Sequence, residues 1–395
     1  MTFVEAAGRN IPRTGRRPIL FVINSLGLGG AERALATILS NAGERRERYD
    51  LHLVLLDALP RWRDVPGFVA VHELDGRGSL GRSVWQLAAF SRRLRPALIV
   101  SFLVRANVAG AVVGRMLGIP GVACERMHLS SHLAGRYRPG TLRLARLVPR
   151  LTYRLATRVV GVSTGVTEDL ERGFGVPRPK TSTIFNPYDL ARIRADALRE
   201  PEIDLPGDFV VAVGRLERSK NFPVLIDAFL RADTAPWLVI LGEGSERAAI
   251  EAHVAARGAE GRVLLPGYLA NPFAVVGRAA FFTASSLNEG FPNAMVEAMA
   301  LGRAVVATNC PSGPAEILAG DPHLSIDSHH EAEFGVLAPM NSVEGLAGAM
   351  RMMADPERRR RYARQAAQRA EDFEAHSISE QYWTLFDGVV VDGGV

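Results

Sequence analysis

The chain alternates between short apolar runs and longer segments in which apolar residues recur every three or four positions. The short runs have the length of β-strands, and the longer segments have the period of amphipathic helices. Strands that are apolar along their whole length are typical of parallel sheets covered by helices on both faces. The predicted strands are residues 19–26, 51–56, 69–74, 98–103, 121–126, 159–162 and 183–185 in the first half, and 209–214, 237–242, 263–265, 280–284, 304–308 and 336–338 in the second.

Each half of the chain contains enough strand–helix units to form a doubly wound sheet of its own. A length of 395 residues is sufficient for two domains of ordinary size. Prolines and charged residues cluster between residues 186 and 207, where we predict the boundary. The predicted fold class is therefore α/β, with a first domain over residues 18–190, a second over 191–370, a disordered tail over 1–17 and a C-terminal helix over 371–395.

The composition, 47% hydrophobic and 23% charged, is that of a globular protein. No run approaches the roughly 18 apolar residues that span a bilayer, and the N-terminus lacks the apolar segment of a signal peptide. We therefore expect a cytoplasmic protein. The two cysteines, Cys124 and Cys310, have no metal-binding or redox spacing and are predicted to be reduced.

Charge is distributed unevenly along the chain. Residues 1–195 contain 30 Lys and Arg against 14 Asp and Glu, whereas the remainder contains 17 against 28. A basic half indicates contact with an anionic surface or ligand. We do not expect that ligand to be nucleic acid, because the chain has no recognised binding motif and its basic residues lack an aromatic platform.

Arginines and leucines are interleaved at helical spacing in residues 136–158. One interpretation is an amphipathic helix that lies on the anionic inner face of the cytoplasmic membrane. The other is a solvated helix face above a leucine core, with Pro149 disturbing the helix. The sequence leaves both interpretations open. The arginines concerned are Arg136, Arg138, Arg143, Arg146, Arg150, Arg154 and Arg158.

The segment most informative about function holds two carboxylates eight residues apart, Glu289 and Glu297. It follows a predicted strand and leads into good helix formers, so we place Glu289 in the loop and Glu297 two turns inside the helix. Helix starts present N–H groups to anions such as phosphate, and carboxylates bind vicinal hydroxyls, so a sugar nucleotide suits the segment. The alternative is a pair of solvated glutamates beside a helix dipole. The candidate ligand contacts between them are Gly290, Phe291, Pro292 and Asn293, with Pro292 in the first helical turn.

Other polar residues follow predicted strands, where ligands of open α/β sheets bind. Arg215 and Lys220 follow residues 209–214, and two cations at a strand end suit a diphosphate, although a charged surface loop is the alternative. Lys220 is one of only two lysines in the chain. His128 follows residues 121–126 and is either a polar ligand to sugar or phosphate or a structural hydrogen-bonding residue.

Gly29 and Gly30 follow the first predicted strand and precede a helix that begins near Ala31. Glycines at this position allow the backbone to approach a phosphate closely. Glu32 occupies the third glycine position of the dinucleotide-binding motif G-x-G-x-x-G, so that motif is not supported. A tight turn between strand and helix is the alternative interpretation.

Four motifs occur along the chain in this order: Gly29-Gly30-Ala31-Glu32, Gly214-Arg215-Leu216 with Lys220-Asn221, Gly242-Glu243-Gly244, and Glu289-Gly-Phe-Pro-x4-Glu297. As a set they resemble the GT-B glycosyltransferases of the family 4 type. The resemblance implies two Rossmann-like domains that face a cleft, with the acceptor held mainly by the first and the nucleotide sugar by the second. It also implies a C-terminal helix that crosses back to the first domain.

The resemblance further implies roles for individual residues. Arg215 and Lys220 would bind the donor diphosphate and stabilise the leaving nucleotide. Glu289 would contact the donor sugar and Glu297 the ribose, while backbone amides just after Glu289 would support the sugar and phosphate. Many members have a catalytic-region histidine in a stretch comparable to the one that holds His128.

Members of this family retain the anomeric configuration, are usually metal-independent and use no cofactor besides the nucleotide-sugar donor. In agreement with this, the sequence has no Asp-x-Asp motif that would hold a divalent ion. Residues 309–316 look like those of members that act on polyprenyl-diphosphate-linked sugars with UDP-galactose or UDP-N-acetylgalactosamine type donors. We therefore predict a retaining hexosyltransferase that moves a UDP-linked hexose or N-acetylhexosamine to a glycan or lipid-linked acceptor of surface polysaccharide or glycoconjugate synthesis. The alternatives are a nucleotide-sugar epimerase of the same fold and a non-catalytic protein that binds nucleotide or a lipid surface.

Overall fold

The computed structural model describes residues 15–392. A first seven-stranded sheet has the order β3-β2-β1-β4-β5-β6-β7, and neighbouring strands in it are parallel. The order reverses between β1 and β4, so the carboxyl ends of these strands form a crevice. The strands are β1 (Arg17–Ile23), β2 (Tyr49–Leu55), β3 (Ala70–Glu73), β4 (Leu98–Phe102), β5 (Gly121–Glu125), β6 (Arg158–Gly161) and β7 (Thr181–Thr183).

A second seven-stranded sheet has the order β10-β9-β8-β11-β12-β14-β13. Its pairs are parallel except for the edge pair β13–β14, and its order reverses between β8 and β11. The strands are β8 (Phe209–Val213), β9 (Trp237–Leu241), β10 (Val263–Gly267), β11 (Phe282–Ala284), β12 (Val305–Thr308), β13 (His330–Glu331) and β14 (Val336–Ala338).

Helices cover both faces of each sheet. Those of the first half are α1 (Gly30–Ser40), α2 (Arg45–Arg48), α3 (Leu80–Leu94), α4 (Val104–Leu117), α5 (Leu129–Arg136), α6 (Pro139–Thr152), α7 (Thr164–Phe174) and α8 (Leu190–Ala197). Those of the second half are α9 (Phe222–Ala232), α10 (Arg247–Ala256), α11 (Phe273–Val276), α12 (Asn293–Ala300), α13 (Pro314–Leu318), α14 (Val343–Met352), α15 (Pro356–Ala370) and α16 (Ala375–Asp392).

Strand β1 shows why the apolar runs form the centre of a covered sheet. Ile19, Phe21 and Ile23 pack into the layer that contains α1 and α16. Leu20 and Val22 point the other way, into the layer that contains α3 and α4. All five side chains are fully buried. A strand buried on both faces needs apolar residues at every position, which explains the uninterrupted run in the sequence.

The predicted α/β fold class with two doubly wound parallel sheets is confirmed. Strand β13 escapes prediction because it consists of two exposed polar residues. Of the predicted disordered tail, residues 1–14 lie outside the described residues, whereas β1 already begins at Arg17.

The C-terminal helix α16 lies against the first sheet. The indole Nε1 of Trp383 donates a hydrogen bond to the carbonyl oxygen of Ile38 at 3.0 Å, and the hydroxyl of Tyr382 donates to the carbonyl oxygen of Ile184 at 2.9 Å. Phe21 contacts Trp383 edge-on, with ring centroids 5.9 Å apart. Strand β1 and helix α16 therefore share one apolar layer, and α15 and α16 connect the second sheet to the first.

Candidate active site

The segment from Glu289 to Glu297 crosses from the end of β11 into α12. Two details differ from the sequence prediction. Pro292 precedes the helix instead of lying in its first turn, and Glu297 is the fifth residue of the helix, about one turn inside it. The reason is the backbone of Pro292, whose ψ of 88° lies outside the helical range, so that this residue caps the helix. The loop before it packs closely against another loop: a Cβ atom on Gly290 would lie 2.0 Å from the carbonyl oxygen of Arg126.

Glu289 and Lys220 form an ion pair at the carboxyl ends of two adjacent strands, β11 and β8. The Nζ of Lys220 donates to Oε1 of Glu289 at 2.5 Å, and the hydroxyl of Ser286 donates to the same oxygen at 2.6 Å. The hydroxyl of Ser285 donates to the carbonyl oxygen of Lys220 at 2.7 Å, which ties the two loops together. Both charged side chains are mostly buried, so a ligand group here would meet a cation and a carboxylate held in fixed positions.

Arg215 lies on the same strand end as Lys220 but has a different environment. Its side chain is exposed, and its Nη1 lies 2.9 Å from Oε1 of Glu217. Its positive charge acts on two residues of the first domain. Burial raises the pKa of Glu32, and the charge of Arg215 partly offsets this effect. Burial lowers the pKa of His132, and the charge of Arg215 adds to this effect. Arg215 therefore stands at the cleft between the sheets, with a long side chain that a diphosphate can engage.

The first-domain glycines lie where α1 meets the second domain. A Cβ atom on Gly29 would lie 2.3 Å from Oε2 of Glu32, so the Glu32 carboxylate covers the N-terminus of α1. Burial raises the pKa of Glu32. A Cβ atom on Gly30 would lie 2.1 Å from Nδ2 of Asn293. Because the two glycines have no side chains, there is room for the Glu32 side chain beside Gly29 and for the start of α12 beside Gly30.

His128 caps α5 in the first domain. Its Nδ1 accepts a hydrogen bond from the backbone N–H of Ser131 at 3.4 Å, lies 2.9 Å from the Ser131 hydroxyl and 3.8 Å from Oδ2 of Asp169. The same loop touches the second domain, because a Cβ atom on Gly290 would lie 2.9 Å from the Cα atom of Met127. His128 therefore lies on the first-domain side of the cleft, directly after the residue that approaches Gly290.

Phe291 and Asn293 fix the segment between the two glutamates. Phe291 is buried and stacks on Phe185, with ring centroids 5.3 Å apart. The side-chain oxygen of Asn293 accepts hydrogen bonds from Nδ2 of Asn186 at 2.8 Å and from the hydroxyl of Tyr188 at 2.6 Å. The segment is thus anchored on the chain that passes from the first sheet to the second.

Several residues of this cleft were not among the sequence candidates. Arg33, in α1, donates from Nη1 to Oε1 of Glu297 across the cleft. Thr164, at the start of α7, donates from its backbone N–H at 3.0 Å and from its hydroxyl at 2.5 Å to the carboxylate of Glu316 in α13. Burial raises the pKa of Glu316. Thr164 follows β6 and Arg33 follows β1, so their positions after a strand could have identified both as candidate site residues.

Two family models match the chain, one on each side of the passage between the sheets. The model described as Glycosyltransferase Family 4 matches residues 28–192, and the model described as Glycosyl transferases group 1 matches residues 207–355. Together they include the loops that carry Gly29, Lys220 and Glu289.

Named relatives cover most or part of the chain. The chain is 29% identical over 379 residues to the N-acetylgalactosamine-N,N'-diacetylbacillosaminyl-diphospho-undecaprenol 4-alpha-N-acetylgalactosaminyltransferase of Campylobacter jejuni. The matched region covers 90% of this chain and 96% of that enzyme. The chain is also 30% identical over 166 residues to the lipopolysaccharide 1,6-galactosyltransferase of Salmonella typhimurium. This matched region covers 40% of this chain and 45% of that enzyme.

Solved structures share the fold at low sequence identity. The Anabaena protein HepE, crystallised with UDP and glucose, aligns with a TM-score of 0.73 at 22% identity over 94% of this chain and 100% of that one. Sucrose-phosphate synthase from Thermosynechococcus elongatus aligns with a TM-score of 0.76 at 18% identity over 95% and 100%. The chain is a glycosyltransferase of the family 4 type with the GT-B fold.

Proposed function

We propose that this glycosyltransferase takes a UDP-linked hexose or N-acetylhexosamine into the cleft between its sheets. It transfers the sugar, with retention of the anomeric configuration, to a glycan or polyprenyl-diphosphate-linked acceptor. The observation that carries the proposal is the contact of Lys220 with Glu289 at the switch point of the second sheet. The name of the Campylobacter relative, which transfers N-acetylgalactosamine to a diphospho-undecaprenol-linked sugar, supports the acceptor class.

Lys220 can hold the donor diphosphate without releasing Glu289. An ammonium group has three N–H donors, and Glu289 uses one of them. The remaining donors suit phosphate oxygens, while the second oxygen of Glu289 suits a sugar hydroxyl. The contact would therefore fix the angle between the diphosphate and the sugar, and such positioning before reaction is a main source of rate enhancement.

Arg215 and Lys220 supply the positive charge that a leaving diphosphate needs. Cations placed before reaction stabilise the charge that develops on the leaving group. We therefore propose that transfer needs no divalent metal ion. Transfer rates should be the same with EDTA and with added magnesium or manganese, and a rate that collapses with EDTA would contradict this part of the proposal.

A donor screen tests the proposed function. The protein is incubated with a panel of UDP-sugars and a synthetic polyprenyl-diphosphate-linked saccharide, and the products are analysed by mass spectrometry. We expect the acceptor mass to rise by one hexose or one N-acetylhexosamine, with an α linkage in the NMR spectrum when the donor is α-linked. Conversion of a UDP-sugar without an acceptor would instead show an epimerase, and no product with any donor would contradict the proposal.

We further propose that α6 attaches the first domain to the anionic inner face of the cytoplasmic membrane. Within residues 15–392, no helix is long and apolar enough to cross a membrane. The leucines of α6 are not all in the core, since Leu144 is 67% and Leu151 is 57% exposed. Exposed arginines accompany them on the same helix, and α6 continues past Pro149 to Thr152. The exposed apolar side chains of α6 are Leu144, Leu147, Val148 and Leu151, and Leu155 in the following turn is also exposed.

Liposome sedimentation tests the role of α6. The double variant Leu144→Gln, Leu151→Gln should lose most of its binding to phosphatidylglycerol-containing vesicles, because it removes the apolar surface that enters the lipid. Leu198→Gln is a matched control, since Leu198 is 85% exposed and lies outside α6. Equal binding of the double variant and the wild type would contradict the proposal, as would equal binding to phosphatidylcholine vesicles at low salt.

A further inference from the structure

Helices α1 and α12 meet in register across the cleft. Their first residues touch, because a Cβ atom on Gly30 would lie 2.1 Å from Nδ2 of Asn293. About one turn further along each helix, Arg33 donates to Glu297. Two contacts one turn apart fix how the two helices lie against each other, and the absence of a side chain on Gly30 allows this approach.

The ion pair of Arg33 with Glu297 lies in a buried region, where an unpaired charge is energetically unfavourable. Glu297 is only 6% exposed, and a carboxylate so buried needs a partner. Burial, together with the positive charge of Arg63, lowers the pKa of Arg33 to about 10, and the charge of Arg192 contributes to the same shift. Arg33 is therefore held among other cations, next to the one carboxylate to which it donates.

We propose that Arg33 is a first-domain positioning residue for the ribose of the donor, acting through Glu297. This inference rests on the proposed function and on the role that the family resemblance implies for Glu297, which is to bind the ribose. A carboxylate offers about four lone-pair sites, and Arg33 occupies one on Oε1. Oε2 and the second site on Oε1 then face the vicinal hydroxyls in a fixed orientation.

The position of Arg33 gives ribose recognition a second property. Glu297 belongs to the second domain and Arg33 to the first, so the complete ribose site exists only when α1 and α12 are in contact. Recognition of the ribose therefore depends on a contact between the two domains.

The test compares the affinities for UDP and for 2′-deoxy-UDP, measured by calorimetric titration. The wild type should prefer UDP by about tenfold or more, because 2′-deoxy-UDP lacks one hydroxyl that a charged acceptor binds. Glu297→Gln should reduce this preference strongly. Arg33→Gln should reduce it to a similar extent although Arg33 itself is not expected to touch the ribose, and Arg33→Lys should restore part of it.

Arg45→Gln is the control for general loss of an ion pair. Arg45 joins α2 to α16 through Glu380 at 2.6 Å and Asp387 at 3.2 Å, away from the cleft. This variant should keep the wild-type preference for UDP. Arg33→Gln with an unchanged preference would overturn the role of Arg33 while leaving the proposed function intact. A wild type that does not bind UDP would overturn the proposed function, whereas a wild type that binds UDP and 2′-deoxy-UDP equally would overturn ribose recognition by Glu297 and the role of Arg33.

Discussion

The contact of Lys220 with Glu289 joins a diphosphate-binding cation to a sugar-binding carboxylate in the proposed site. The two opposite charges lie side by side in a partly desolvated position. Removal of one partner would leave the other charge without compensation, so variants at either position affect more than one interaction. The neighbouring hydroxyl of Ser286 limits this effect, because it continues to donate to Glu289.

Replacement of Lys220 by alanine should lower the transfer rate by about 100-fold or more, because the leaving diphosphate loses a positioned cation. The rate is measured with saturating donor and acceptor, and thermal unfolding reports whether the variant is folded. Lys180→Ala is a matched control, since Lys180 is the other lysine and donates to the carbonyl oxygens of Arg154 and Ala156. Similar losses in both variants would contradict a specific role for Lys220.

Residue positions at strand ends could be predicted, whereas contacts between distant parts of the chain could not. Lys220 and Glu289 stand out because each follows an apolar run, and parallel strands place such residues at one edge. Arg33 also follows a strand, but its partner Glu297 is 264 positions away in the other domain. No spacing in the sequence records how two domains lie against each other.

At the scale of elements, the loop before α12 depends on a close backbone approach. Gly290 has no side chain, and the carbonyl of Arg126 occupies the space where one would begin. This contact joins the β11–α12 loop to the β5–α5 loop just before α12 begins at Asn293. The sequence motif shows a glycine here, but only the neighbouring loop shows why a glycine is required.

Gly290→Ala should lower transfer by about tenfold or more, because the added methyl group forces the two loops and hence the two domains apart. The far-ultraviolet circular dichroism spectrum should remain that of the wild type. Gly261→Ala is the matched control, since nothing lies within 4 Å of a Cβ atom there. Full activity of Gly290→Ala would contradict the idea that the site needs this approach.

A histidine pair on β2 and β3 makes stability depend on pH. His52 Nδ1 lies 3.0 Å from His72 Nε2, and burial lowers the pKa of His72 to about 4, with the charge of His52 adding to this. Because the pKa of His72 is lower in the folded state than in the unfolded state, the unfolded state takes up a proton first as the pH falls. The stability that the neutral His72 ring contributes is therefore present above the usual pKa near 6.5 and is lost as the pH falls toward 4.

The free energy of unfolding in urea should therefore fall by about 1 to 2 kcal/mol more between pH 7 and pH 5 in the wild type than in His72→Gln. The difference between the two proteins removes the contributions of other titrating groups. An identical pH dependence would show that His72 is not buried as a neutral ring.

The elements themselves were largely predictable, and the exceptions have physical reasons. The apolar strands follow from burial on both faces, as in β1. Helix α6 was ambiguous, because interleaved leucines and arginines are compatible with a packed or an exposed apolar face. Which face packs depends on the neighbouring helices α5 and α7, which the local pattern does not contain.

At the scale of the whole molecule, the two sheets meet through polar contacts that surround the cleft. Arg33 with Glu297, Thr164 with Glu316, and Asn186 with Asn293 each join residues on opposite sides. Helix α16 returns the chain to the first sheet, so both domains share one continuous framework. In the proposed function, the nucleotide binds between the carboxyl ends of the central strands of the two sheets.

Calorimetric titration of UDP is the sharpest test of whether a nucleotide sugar binds between Lys220 and Glu297. The wild type and Lys180→Ala should bind UDP equally well. Lys220→Ala and Glu297→Ala should each bind at least about tenfold more weakly, because each loses a contact of a charged group with the nucleotide. Unchanged UDP affinity in both of these folded variants would contradict the account.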